Sequence, residues 1–275
     1  MRANGPPAAT AQDAGAHDAA SIVALRGVDK VFPNGVSALA GLDLDIGRDE
    51  FVSLLGPSGC GKSTALRILA GLIAPSRGAV VWTDGGDDTD HRGEIGFVFQ
   101  EPTLMPWANV ADNVYMPLRL RGVSRKAARE TIQSCLSLVG LDAFAQAYPR
   151  ELSGGMKMRV SIARALSLRP KLLLMDEPFA ALDEITRFRL NDDILRLQRE
   201  FGCTIVFVTH SVYESVYLST RIVVMAARPG RVVEEIAVAA ASPRTEAFRT
   251  TPEYADLCRR TSAALHGAMG QDEHL

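Results

Sequence analysis

The sequence predicts an α/β protein with a mainly parallel core sheet and a helical subdomain inserted into it. Four short apolar runs stop abruptly at polar or glycine residues: Phe51 to Leu55 before Gly56, Ile95 to Phe99 before Gln100, Leu172 to Met175 before Asp176, and Ile205 to Val208 before Thr209. Such runs suit strands buried on both faces of a parallel sheet. A glycine-rich loop follows the first run and leads into a helical pattern at Leu66, Leu69 and Ile73. Between Pro102 and Arg169 the strand pattern gives way to helical segments, including an amphipathic stretch from Ser124 to Val139 and another after Ser153.

Taken from the N-terminus, residues 1–20 are rich in Ala with Gly, Pro and Asp and read as a disordered tail, lacking the basic start and apolar stretch of a signal peptide. The chain of 275 residues is 47% apolar, ample for a buried core, and carries a formal charge of -2 with both signs interspersed. That balance leaves no electrostatic footprint for a nucleic-acid partner. Cys60, Cys135, Cys203 and Cys258 form neither CxxC pairs nor a Cys/His cluster, which argues against zinc and a secreted disulfide framework and for a reducing cytosol. No apolar run approaches the ~20 residues needed to span a bilayer, so a membrane role requires a partner.

Gly56, Pro57, Ser58, Gly59, Cys60, Gly61, Lys62, Ser63 and Thr64 match the pattern GxxxxGK[ST] in full, between a strand and a helix. The glycines let successive N–H groups point inward around phosphates, and the following helix adds its positive N-terminal end. Lys62 is placed to reach the β and γ phosphates, and the Ser63 hydroxyl to bind magnesium. The run Lys171 to Asp183, KLLLMDEPFAALD, delivers two adjacent carboxylates at a strand end. Alone, such a pair is more often a helix N-terminal charge pair; the phosphate loop in the same chain reverses that reading. Phosphoryl transfer needs one group to hold the metal and another to orient the attacking water, tasks that suit Asp176 and Glu177 respectively. Ligands in an open α/β sheet bind beyond the carboxyl ends of its strands, so Gly56, Gln100, Asp176 and His210 are expected neighbours. His210 could then donate to the γ phosphate, although a lone histidine is usually structural.

Leu152, Ser153, Gly154, Gly155 and Met156 precede a helix carrying Arg159, Arg164 and Leu166. Ser153, the two glycines and a helix N-terminus make a second phosphate-binding surface, one more than a single site needs. This LSGGM segment resembles the signature loop of ABC ATPases, and the resemblance runs from about Ile22 to Val233. It implies a P-loop NTPase fold with an N-terminal antiparallel β part, over residues 21–235, with the helical subdomain at about 102–168. A C-terminal tail over residues 236–275 carries a docking helix that begins at Thr251-Pro252. The resemblance implies a head-to-tail homodimer in which the signature loop of one subunit covers ATP and Mg2+ held by the other. By motif it assigns Phe32 to the adenine ring, Gln100 to the metal and the membrane partner, Asp183 to the loop crossing the dimer, and His210 to the switch histidine. Met156 and Lys157 stand where the usual signature has glutamine; the serine and glycine donors are kept, so an active site is expected.

The stretches QEPTLMPWANVADNV and THSVYESVYLSTRIVVMAARPGR resemble importer subunits of the nitrate, sulfonate, taurine and bicarbonate type. The implied partners are transmembrane permease subunits and, through them, a solute-binding protein, with this chain peripheral on the cytoplasmic side of the membrane. Leu104, Met105, Pro106 and Trp107 are expected either to line a groove for the permease or, for Trp107, to fill the subdomain core. The alternative is an ABC ATPase acting on nucleic acid or ribosomes. The interval from Thr64 to Leu152 has no room for a coiled-coil arm, and the chain holds one ATPase unit rather than two. A small-molecule phosphate-loop kinase would not explain LSGGM.

Overall fold

The computed structural model describes residues 21–83, 91–240 and 244–270, so the tail expected at 1–20 lies outside the described residues. Two strands open the chain, β1 (Ser21–Val31) and β2 (Ser37–Gly47), and pair antiparallel. In β2, Leu42, Leu44 and Ile46 are buried and alternate with more exposed positions, the period-2 pattern of a half-buried strand. β3 (Phe51–Leu55) leads through the phosphate loop to α1 (Lys62–Leu69), which ends before Ile73, and β4 (Arg77–Trp82) then pairs with the free edge of β1.

After β5 (Ile95–Val98) come α2 (Val110–Leu120), α3 (Arg129–Leu138) and α4 (Gly154–Leu166). The stretch expected to be helical from Ser124 is turn as far as Ala128, and α3 begins only at Arg129. Then follow β6 (Leu172–Asp176), α5 (Glu184–Phe201), β7 (Thr204–Thr209), α6 (Val212–Leu218), β8 (Arg221–Ala226), β9 (Arg231–Ala237) and α7 (Pro252–Gly270). The apolar strand pattern in the sequence fades after about Val233, but β9 continues to Ala237. It is an antiparallel edge strand whose exposed Glu235 and partly buried Glu234 break the apolar pattern.

The main sheet has the order β5-β6-β7-β3-β8-β9, with neighbours parallel from β5 through β8. Every residue of β3, β6 and β7 is buried, in keeping with their near-continuous apolar sequences. One face packs on the β2-β1-β4 sheet and α1; the other carries the core shared with α2 to α7. Parallel pairing sends the carboxyl ends of β3, β6 and β7 to one edge, which is where the phosphate loop, Asp176 and His210 emerge. No helix among the described residues is long and apolar enough to cross a membrane.

Candidate functional site

The phosphate loop is shaped by close backbone approach. A side chain at Gly56 would place Cβ 2.5 Å from the Met225 carbonyl oxygen, and Gly61, at φ 89°, would meet the Ala38 carbonyl oxygen at 2.7 Å. The loop closes around Lys62, a residue 4% exposed whose ammonium donates to the carbonyls of Gly56 and Pro57 at 2.8 and 2.9 Å, with Cys60 Sγ at 3.6 Å. Among the described residues no carboxylate forms an ion pair with it. A buried cation held mainly by carbonyl dipoles beside a helix N-terminus is electrostatically complementary to a phosphate chain.

Ser63 Oγ donates to Asp176 Oδ1 at 2.6 Å, joining groups 113 residues apart in sequence. Burial pushes the Asp176 carboxyl up from its ordinary value, against the opposing pull of the Ser63 hydrogen bond and the nearby Arg67 and Lys62 charges. A hydroxyl and a carboxylate form the hard oxygen donor set that suits magnesium, so the residues present fit that ion. Gln100, expected beside them, follows β5 at the outer edge of the sheet order and is exposed.

Glu177 leaves β6 at φ 44°, its N–H held by the Val208 carbonyl at 3.1 Å. Its Oε2 lies 3.3 Å from His210 Nδ1. The carboxylate and imidazole thus face each other at the ends of adjacent strands, Glu177 one residue beyond Asp176, an arrangement chemically suited to general-base work. Phe32 sits in a tight turn after β1, partly buried, with the Lys30 ammonium 5.5 Å from its ring centroid.

Ser153 caps α4, accepting from the Met156 N–H at 3.3 Å, and Ser153 and Gly154 are exposed. This N-terminus lies against the segment leading into α5 rather than against its own phosphate loop. A Cβ at Gly155 would fall 2.7 Å from Thr186 Cγ2, and one at Gly154 would be 3.5 Å from Leu182 Cδ2. Asp183 caps α5 through Thr186, taking its N–H at 2.9 Å and its hydroxyl at 2.7 Å, and these bonds hold the carboxyl below its ordinary value. Met156 packs partly buried against the core, so its side chain serves the base of α4.

Sequence reading gave no role to three organising side chains, because none of them stands in a motif that names its partners. Arg164 on α4 donates to the carbonyls of Thr103 and Pro102 at 2.8 and 3.0 Å. Fully buried Asn113 takes the Met105 N–H at 2.8 Å and donates to the Met105 and Ala108 carbonyls. Together they set the loop after Gln100 and hold Trp107 outward, 77% exposed, which overturns the core reading of that residue. Arg187, pairing with Glu214 behind His210, was the third.

Residues 39–180 match the family described as ABC transporter. An aliphatic sulfonates import ATP-binding protein, SsuB 1, of Pseudomonas savastanoi pv. phaseolicola is 43% identical over 88% of this chain and 95% of its own length. The nitrate import ATP-binding protein NrtD of Synechocystis is 41% identical over 84% and 89%. Among solved structures, an ATP-binding cassette crystallised as a dimer in a post-hydrolysis state with ADP and phosphate is 35% identical. It superposes with a TM-score of 0.69, covering 80% of this chain and all of the other. The family match spans the phosphate loop, the LSGGM segment and the paired carboxylates whose geometry is given above. The chain therefore belongs to the ABC transporter family, as one of its ATP-binding and ATP-hydrolysing subunits.

Proposed function

We propose that this protein energises an importer of small solutes of the nitrate, sulfonate and taurine type. It works as a head-to-tail homodimer seated on the cytoplasmic face of a transmembrane permease that receives solute from an external binding protein. One observation carries the reading: the donors are split between two surfaces. Lys62, Ser63, Asp176, Glu177 and His210 gather at the carboxyl edge of the sheet, while Ser153 and Gly154 stand exposed at the far N-terminus of α4 beside Asp183. Two copies facing each other complete both sites. The names of the sulfonate and nitrate relatives support the solute class.

In the mechanism, Lys62 and the loop N–H groups bind the triphosphate, and Phe32 supports the base. Ser63, Asp176 and Gln100 would hold magnesium, which supplies neutralisation of phosphate charge when bound. Glu177 orients the attacking water and accepts its proton, and His210 fixes Glu177 and contacts the γ phosphate. Ser153 and Gly154 of the second copy close the site from the other side. Loss of the γ phosphate removes the bridge and the dimer reopens.

Two variants test the assignments. Lys62→Ala is expected to lose nucleotide binding or turnover. Glu177→Gln is expected to bind ATP, hydrolyse it at least roughly 100-fold more slowly, and accumulate as a closed dimer in sedimentation. Normal turnover in Glu177→Gln would remove the water-positioning role. Recovery of a membrane permease with the full chain, against recovery of nucleic acid, separates the transport reading from the nucleic-acid one.

A further inference from the structure

Behind the Glu177–His210 pair lies a mostly buried ionic bridge that none of the roles above uses. Arg187 on α5 turns one edge of its guanidinium to the Leu182 carbonyl, which accepts from Nη2 at 3.1 Å, one residue before Asp183. Its Nε faces Glu214 Oε1 at 3.3 Å. The Glu214 side chain is 7% exposed, and its other oxygen accepts from Thr209 Oγ1 at 2.6 Å. Thr209 immediately precedes His210, and the same hydroxyl accepts the Ser211 N–H at 3.0 Å.

We propose that Arg187 and Glu214 are positioning residues that couple the Asp183 segment to the His210 segment, so that closure of the second copy on Asp183 sets the histidine and, through it, Glu177. The proposal rests on the reading of Glu177, His210 and Asp183 given above and adds the physical link between them. Three features favour it over simple packing. The bridge ends on the backbone at Leu182 and on Thr209, each adjacent to a residue assigned to the site, rather than on distant surface. Glu177, Thr209 and His210 share with the bridge a cavity of ≈ 10 Å³, about the space of one water molecule, so the ion pair and the candidate hydrolytic carboxylate line one small gap closed by Phe179, Ala180 and Phe207. And a mostly buried ion pair is no efficient source of stability, since apolar residues of similar volume often serve as well or better, so specific geometry is its better-attested use. Burial raises the Glu214 carboxyl from its ordinary value, while the Thr209 bond and the charges of Arg187, His210 and Arg249 oppose that rise.

The full chain carrying Glu214→Gln or Arg187→Lys tests this. Gln keeps an acceptor for Thr209 without the charge, and Lys reaches one of the two partners but lacks the fork to hold both. Bound ATP per chain is measured at equilibrium, turnover is expressed per bound nucleotide, and the ATP-induced dimer is followed in a Glu177→Gln background. The expected result is near-parental binding, turnover per bound nucleotide lower by roughly ten- to hundred-fold, and a smaller dimer fraction at equal ATP. Turnover per bound nucleotide within about two-fold of the parent in both variants overturns the proposal, whatever the loss of melting temperature, because a bridge that serves only the fold changes the number of working sites and not their rate. Loss of bound nucleotide without a change in rate per site counts against it equally. A fully active Glu177→Gln would instead remove the reading beneath it, so the two failures are distinct.

Discussion

Glu177 shows what the site asks of one residue. A non-glycine side chain at φ 44° costs of order 1 kcal/mol, and the Val208 carbonyl and His210 hold it in that conformation. Its candidacy for orienting the attacking water was readable from its place after Asp176, but its strain was not, because no local sequence feature demands a left-handed turn there. Ser63 and Asp176 were readable as a pair because each sits in its own motif. Arg187 and Glu214 were not, because either residue alone is an ordinary helix-surface charge. The cysteines give a prediction at this scale. Burial pushes the thiols of Cys135 and Cys203 up to about 11, whereas an unfolded thiol ionises near ~8.5. The native state therefore keeps protons that the unfolded chain releases, and this contribution is fully present below pH ~8.5 and is lost as pH rises toward 11. Between pH 8 and 10 the two thiols together should lower stability by about 2–4 kcal/mol. Urea melts of the parent and of a Cys135→Ala, Cys203→Ala variant read the effect directly: the variant should show a smaller decline, and parallel declines would refute the cause. Alkylation of these thiols at pH 8 should likewise require unfolding.

At the scale of elements, legibility followed burial. Central strands β3, β6 and β7 are buried throughout and announced themselves as near-continuous apolar runs. Edge strand β9 did not, because Glu234 and Glu235 interrupt it, and α3 starts late because Ser124 to Ala128 forms turns before the helix proper. The loop between β5 and α2 had no readable structure, since its order comes from Asn113 and Arg164, placed on helices beyond it. That dependence can be tested. Asn113→Ala leaves the Met105 N–H and the Met105 and Ala108 carbonyls without their side-chain partner, and should cost about 2–4 kcal/mol. Trp107→Ala, which removes a 77% exposed ring that borders a groove with Met105, Tyr115 and Met116, should leave the melting temperature and basal ATPase unchanged. If the groove receives the permease, that variant should lose permease association and permease-coupled turnover together. Retention of both would assign the ring to bare surface. The C-terminal segment from Glu246 through α7 is fixed to the same body: Tyr254 on α7 donates to the Tyr213 carbonyl at 3.0 Å, and Arg249, in the turn before α7, lies 4.3 and 3.5 Å from the ring centroids of Phe188 and Tyr217. It thereby joins α5 and α6, the two helices that follow Asp183 and His210.

For the whole molecule the central question is whether one chain or two complete the site, and a mixing experiment decides it. In a head-to-tail dimer each site takes its phosphate loop from one copy and its Ser153 loop from the other. Lys62→Ala breaks the first component and Ser153→Arg the second, so a homodimer of either variant has two broken sites. A mixed dimer gathers both lesions into one site and leaves the other intact. Random reassociation makes half the dimers mixed, so an equal mixture of two inactive proteins should recover up to about a quarter of parental ATPase if an intact site works independently. A chain that completed its site alone would recover nothing, because each copy would carry its own lesion. Ser153 stands exposed ahead of Gly154 and Gly155, which lie against Leu182 and Thr186, whereas Lys62 is enclosed by the carbonyls of Gly56 and Pro57, so the two lesions fall on separate surfaces of one chain. Recovery that grows with the mixing time of the two variants, and vanishes when both lesions are placed in the same chain, would establish the shared site.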